Sequence, residues 1–109
     1  MIQPGNLFAD LPAPKTGEVF ETLLEDRQLR IERICSSPWP EPLLYDQTSD
    51  EWVLLLTGHA LLECDGQPIP LNAGDYLFIP AHTKHRVLST SAEPRCTWLA
   101  VHLDPGNDT

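Results

Sequence analysis

Long apolar runs are missing from this 109-residue chain. No stretch approaches the roughly 18 consecutive apolar residues that cross a bilayer as a helix, so no membrane role is expected. Basic residues are scarce too: seven Lys and Arg stand against sixteen Asp and Glu, a formal charge of −9. That balance repels phosphate backbones and anionic membrane surfaces, and no local basic stripe reverses it. Nucleic acid is therefore not an expected partner. Cysteines are few and unpaired in pattern: Cys35, Cys64 and Cys96 are odd in number, widely spaced and form no C-x-x-C. They offer neither a disulfide framework nor a thiolate zinc site, and read as reduced, mostly buried thiols. Met1 to Asn6 shows no basic segment followed by an apolar one. No secretory signal is visible there, and a cytoplasmic location is the expectation.

Proline-free length is also lacking. Eleven prolines punctuate the chain, leaving room for no long helix, only a short turn near Asn6–Asp10. Between the prolines lie short runs rich in apolar and β-branched residues, which predict strands. Glu18–Leu24 and Leu29–Cys35 pair around a turn at Glu25–Gln28, and the proline-rich loop from Ser36 to Pro42 follows. Glu51–Leu56 is too uniformly apolar for a strand with one wet face, so both faces should be covered. His59–Cys64 and Gln67–Leu71 flank Asp65-Gly66, a pair suited to a tight type I′ hairpin. Tyr76–Ile79, His85–Ser89 and Cys96–Leu103 complete the set. Many short strands with frequent turns imply an all-β sandwich or barrel. One domain over residues 1–109 is expected, with an N-terminal arm at 1–16 and a frayed tail at 104–109.

Two segments carry chemistry. Glu51 and Gly58 bracket Leu55-Leu56-Thr57 at a strand end, and Gly74-Asp75-Tyr76-Leu77-Phe78-Ile79-Pro80 runs on to His82 and His85. In this spacing the stretch from Tyr45 to Val87 resembles the cupin superfamily, whose fold is a small jelly-roll barrel of two packed antiparallel sheets. The resemblance implies a His-x-His pair, a Glu and a later His pointing inward and holding one divalent ion. The matching positions here are Tyr45, Gln47, Glu51 and His85, so both first-motif histidines are absent. His82 stands where the second motif usually has Gly, and serves as a reserve ligand.

Imidazole, carboxylate and amide oxygen can hold a divalent ion with oxygen-dominated ligation. Gln47, Glu51 and His85 are thus the candidate metal ligands, with Asp46 or Asp50 able to turn inward. Glu51 and His85 are equally able to form an acid–base pair without metal, and a polar network satisfying itself is the third reading. Tyr45, Gln47, Glu51, His85 and His102 are expected to line one pocket, although His102 also reads as a core histidine bonded to backbone. His59 reads as a surface histidine, Trp52 and Trp98 as packing residues, and Trp39 as a cover for the pocket mouth. The expected function is binding of a small molecule, with or without a weakly held divalent metal and with no organic cofactor. The alternative is a metal-dependent isomerase, lyase or oxygenase. If Glu51 points inward, so do Val53 and Leu55, joined by Leu77, Ile79 and Val87. Trp52, Leu54, Leu56, Tyr76 and Phe78 then face outward, more apolar surface than a small monomer leaves wet, which predicts a homodimer.

Overall fold

The computed structural model describes residues 2–105 and contains eight strands and no helix among them. They are β1 (Glu18–Asp26), β2 (Leu29–Ser36), β3 (Asp50–Thr57), β4 (His59–Cys64), β5 (Gln67–Asn72), β6 (Tyr76–Ile79), β7 (His85–Thr90) and β8 (Thr97–Leu103). A five-stranded sheet of order β1-β2-β8-β3-β6 faces a three-stranded sheet of order β5-β4-β7. All pairings are antiparallel, and the two sheets make the jelly-roll barrel expected from the strand pattern.

Turn chemistry explains the sharp reversals. Asp65 and Gly66 have φ of 48° and 78°, the left-handed pair that a two-residue hairpin needs. Gly58, between β3 and β4, has φ of +84°, and a Cβ there would lie 2.6 Å from Ser91 Oγ. Glycine is thus required by both conformation and space.

The core between the sheets is built from Ile34, Val53, Leu55, Ala60, Leu62, Leu71, Ile79, Cys96, Trp98 and Ala100. Leu77 and Val87 pack against it half-buried, so the expected inward set is in place. The expected outward set lies on the outer faces of β3 and β6. Trp52, Leu54 and Leu56 are only half-buried, and Tyr76 and Phe78 are exposed. The N-terminal arm covers another part of this face. Its Leu7 and Ala9 carbonyls accept hydrogen bonds from Arg33 Nη1 at 3.0 and 2.6 Å, while the same guanidinium pairs with Glu21. The predicted frayed tail is tied down at its start, because Asp104 N donates to Gln28 O at 2.8 Å. Residues 106–109 of that tail lie outside the described residues.

Candidate functional site

Between the sheets lies a cavity of about 200 Å³. Its polar lining comes from Glu18 on β1, Arg30 and Glu32 on β2, Glu51 on β3, His85 on β7 and His102 on β8. Tyr45 and Gln47 enter from the loop before β3, and Phe20, Ile34, Val53, Leu62, Ile79, Val87 and Trp98 supply apolar wall.

Strand register sets the arrangement. Arg30 pairs with His102 across β2–β8, and His102 with Glu51 across β8–β3, so three ionisable side chains form one cross-strand row. His85 meets this row from the opposite sheet, its Nε2 3.7 Å from Glu51 Oε1. Its Nδ1 lies 2.8 Å from the Thr83 carbonyl. A carbonyl only accepts, so Nδ1 carries a proton; when the ring is neutral, Nε2 is the bare nitrogen, and it faces Glu51. Tyr45 stacks on the His85 ring at a centroid distance of 5.5 Å. Their backbones exchange two hydrogen bonds of 2.7 and 3.0 Å, which stitch the loop to β7.

Two further polar groupings share the cavity. His102 Nε2 lies 2.7 Å from Glu32 Oε1, whose other oxygen is 3.8 Å from Arg30 Nε. On the far side, Ser36 Oγ donates to Glu18 Oε2 at 2.6 Å and accepts from Trp98 Nε1 at 3.0 Å. Burial pushes the Glu51 carboxyl above its ordinary pKa; nearby Glu32 and Glu18 add to the rise, and His102 and Arg30 oppose it. Burial also raises Glu18, against the lowering effect of its Ser36 hydrogen bond.

Tyr45, Gln47, Glu51, His85 and His102 all line the cavity. His102 bonds to a carboxylate and not to backbone. The remaining candidates lie elsewhere. His82, with φ of 63°, lies outside the cavity lining and pairs with Asp46 at 3.1 Å, its side chain 67% exposed. Asp50 Oδ1 accepts from Ala81 N at 2.8 Å, and neither Asp46 nor Asp50 reaches the cavity. Trp39 is 69% exposed and covers no part of it.

The donors present do not fit a tightly held ion. Among the described residues, no cluster of three or more His, Cys, Asp or Glu is placed to hold a metal. Glu51 and His85 converge, but His102 is engaged by Glu32, which leaves the amide of Gln47 as the remaining candidate from the motif.

Glu18, Phe20, Arg30 and Glu32 line the site without having been anticipated from sequence. The run Leu29-Arg30-Ile31-Glu32 alternates apolar and charged residues, and the ordinary reading turns the charged set to water. Here the charged set faces in.

With this geometry, the comparisons with known proteins agree on the class. The chain belongs to the cupin family: residues 40–102 match the cupin domain model. No curated protein sequence matches it. It is similar to a crystal structure from Ralstonia eutropha JMP134 named as a candidate mannose-6-phosphate isomerase. That match has 43% identity and a TM-score of 0.83, covering 95% of this chain and 100% of the other. A cupin superfamily protein of Desulfitobacterium hafniense DCB-2 shares 22% identity, with a TM-score of 0.80 over 96% of this chain and 94% of that one. An RmlC-like cupin from Desulfovibrio desulfuricans shares 19% identity, with a TM-score of 0.79 over 94% and 97% of the two chains. These last two likenesses speak for the fold alone. The protein is a small cupin with an internal polar pocket.

Proposed function

We propose that the cavity binds a small uncharged molecule bearing a hydroxyl next to a carbonyl, and that Glu51 and His85 move a proton on it. The carrying observation is the 3.7 Å between His85 Nε2 and Glu51 Oε1. It is too long for a direct hydrogen bond, yet one ligand oxygen can bridge it. Burial raises the pKa of the Glu51 carboxyl, which makes it a better proton carrier than an ordinary carboxylate. The cavity volume of about 200 Å³ lies below the roughly 300–1,000 Å³ of drug-sized sites, which supports a small ligand. Glu18, Glu32 and Glu51 face it against the single cation Arg30, an environment that disfavours a phosphate dianion. The Ralstonia protein's name therefore lends this chain the reaction class, isomerisation between adjacent carbons, more than the phosphorylated substrate.

The test is deuterium exchange at C2 of D-mannose in D₂O, followed by NMR. The wild type is expected to exchange, and Glu51→Gln and His85→Phe to lose about 100-fold or more in rate. Equal exchange by all three proteins, or exchange with mannose 6-phosphate alone, would sink the reading.

A weakly held divalent ion is the second reading, favoured by the bare Nε2 of His85. Glu51, His85 and Gln47 would be its ligands. Titrating manganese, nickel and zinc into wild type, Glu51→Gln and His85→Ala checks it, and indistinguishable affinities would remove the site from this cavity.

Self-association as a homodimer completes the proposal. The uncharged outer row of the large sheet lets two copies of a chain with charge −9 meet without opposing carboxylates. Three free cysteines accord with a reducing, cytoplasmic setting.

A further inference from the structure

Two residues that line the cavity each carry a nitrogen atom buried without a hydrogen-bond partner: Arg30 Nε and His102 Nδ1. Such atoms are rare in folded proteins, because each forfeits its hydration for nothing unless something binds there. They are direct cross-strand neighbours, and His102 as a whole is only 3% exposed. Their hydrogen-bond characters differ. His102 Nε2 sits 2.7 Å from the Glu32 carboxylate oxygen. With the ring neutral, Nε2 donates there, and Nδ1 is left as an acceptor aimed at nothing. Arg30 Nε–H can only donate, and at 3.8 Å from Glu32 Oε2 it is beyond hydrogen-bonding distance. One donor and one acceptor side by side match a hydroxyl group, which both accepts and donates. A carboxylate or phosphate oxygen offers no proton to Nδ1, so the pair discriminates against anions.

The neighbouring position in the same row is Glu51, cross-strand partner of His102. The Glu51–His85 gap and the Arg30–His102 pair are therefore adjacent subsites. We infer that the cavity reads two neighbouring oxygens of its ligand, the second being a hydroxyl held between Arg30 Nε–H and His102 Nδ1. This rests on the proposed acid–base site for the first oxygen and narrows the ligand to vicinal diols and their α-hydroxycarbonyl relatives. Arg30 and His102 are then specificity-determining residues that leave the proton transfer itself to Glu51 and His85.

The experiment uses cis-1,2-cyclohexanediol and cyclohexanol, two neutral probes whose hydrocarbon rings suit the wall of Val53, Leu62, Ile79 and Val87. Calorimetry gives their affinities, and ¹⁵N spectra of the imidazoles report which histidine each one touches. The diol is expected to bind about tenfold tighter than the mono-alcohol, the order expected from one or two added neutral hydrogen bonds. It should move His102 Nδ1 upfield together with the His85 resonances, whereas cyclohexanol should move those of His85 alone. Arg30→Met and His102→Gln should bring the two affinities to near parity. Arg30 is partly exposed, so its methionine variant keeps the fold even if the histidine variant does not. A diol that moves His85 but leaves His102 still overturns the second subsite while the acid–base site stands. Silence from both rings at saturating diol overturns both.

Discussion

Adjacent rows of the large sheet, one residue apart along every strand, have opposite character. Arg30, His102 and Glu51 form the row that faces the cavity. The next row runs Leu24, Ile31, Val101, Trp52 and Phe78 through all five strands, and it faces away from the cavity with Leu24 and Phe78 exposed. At this level the usual placement of apolar residues inside and charged residues outside is inverted. Further along the same inner face the ordinary rule returns, with Ile34, Trp98 and Leu55 in register in the core. One sheet thus carries a packed end, which holds the fold, and a polar end that its packing alone does not require. Groups placed against their solvation preference belong to function or to an interface more often than to stability.

The largest effect should come from moving the polar character to the packed end. Leu55 is fully buried on the face that also carries Glu51. Leu55→Asp places a carboxylate there with no partner, and a loss of at least about 4 kcal/mol, enough to unfold the domain, is expected. Urea titration measures it. Unchanged stability would mean that the strand does not hold this register and would dissolve the contrast between the two ends.

Next is a break within the polar end. Glu32→Leu deprives the buried His102 ring of its only hydrogen-bond partner among the described residues, which should lower stability by about 1–3 kcal/mol. The double variant Glu32→Leu/His102→Leu should recover most of that, since an apolar pair of similar bulk leaves nothing unsatisfied. A double variant no more stable than the single one would show that the Glu32–His102 pair is itself a structural support.

What could be read in advance followed the same division. The apolar run Glu51–Leu56, the Asp65-Gly66 hairpin and the Gly74–His85 spacing located five strands, and both Glu51 and His85 enter the cavity. Their side chains obey a period of two together with apolar neighbours, Val53 and Val87, that are themselves inward. The β1–β2 hairpin was legible as strands but not in its facing, because Arg30 and Glu32 contradict the solvation rule from which facing is deduced. Only pairing with β8, a long-range contact, turns them inward. His102 showed the intermediate case: its alternation allowed a place in the pocket, while its Glu32 partner depended on that unreadable facing.

A smaller effect should sharpen the outer half of the comparison. Phe78 is 53% exposed at the end of the apolar row. If a second copy covers this row, Phe78→Glu sets a carboxylate against its symmetry mate and should convert dimer to monomer in sedimentation at micromolar concentration. Stability of the separated chain should change by no more than about 0.5 kcal/mol, as for most surface substitutions. A wild-type chain that already sediments as a monomer would leave the apolar row without the proposed occupant.

The smallest effect has the opposite sign. The Glu51 pKa lies above its ordinary value of 4.5, chiefly because burial disfavours the charged form. The folded protein therefore holds this proton at a pH where the unfolded chain has released it, and stability falls as pH rises from about 4.5 through the folded value. Glu51→Gln keeps the shape of the side chain and removes the titration. The variant should match wild type near pH 4, where both side chains are neutral, and exceed it in melting temperature at pH 8. Glu18→Gln should act in the same direction, because burial raises that carboxyl too, although the Ser36 hydrogen bond offsets part of the effect there. A gain in stability at Glu51 combined with loss of exchange on mannose is the pattern of a carboxyl kept for its chemistry at the expense of the fold. If Glu51→Gln instead melts lower than wild type at pH 8, the ionised carboxylate stabilises the barrel through its row-mates His102 and Arg30. The polar end would then be a structural network, and the inversion between the two rows would need no ligand to explain it.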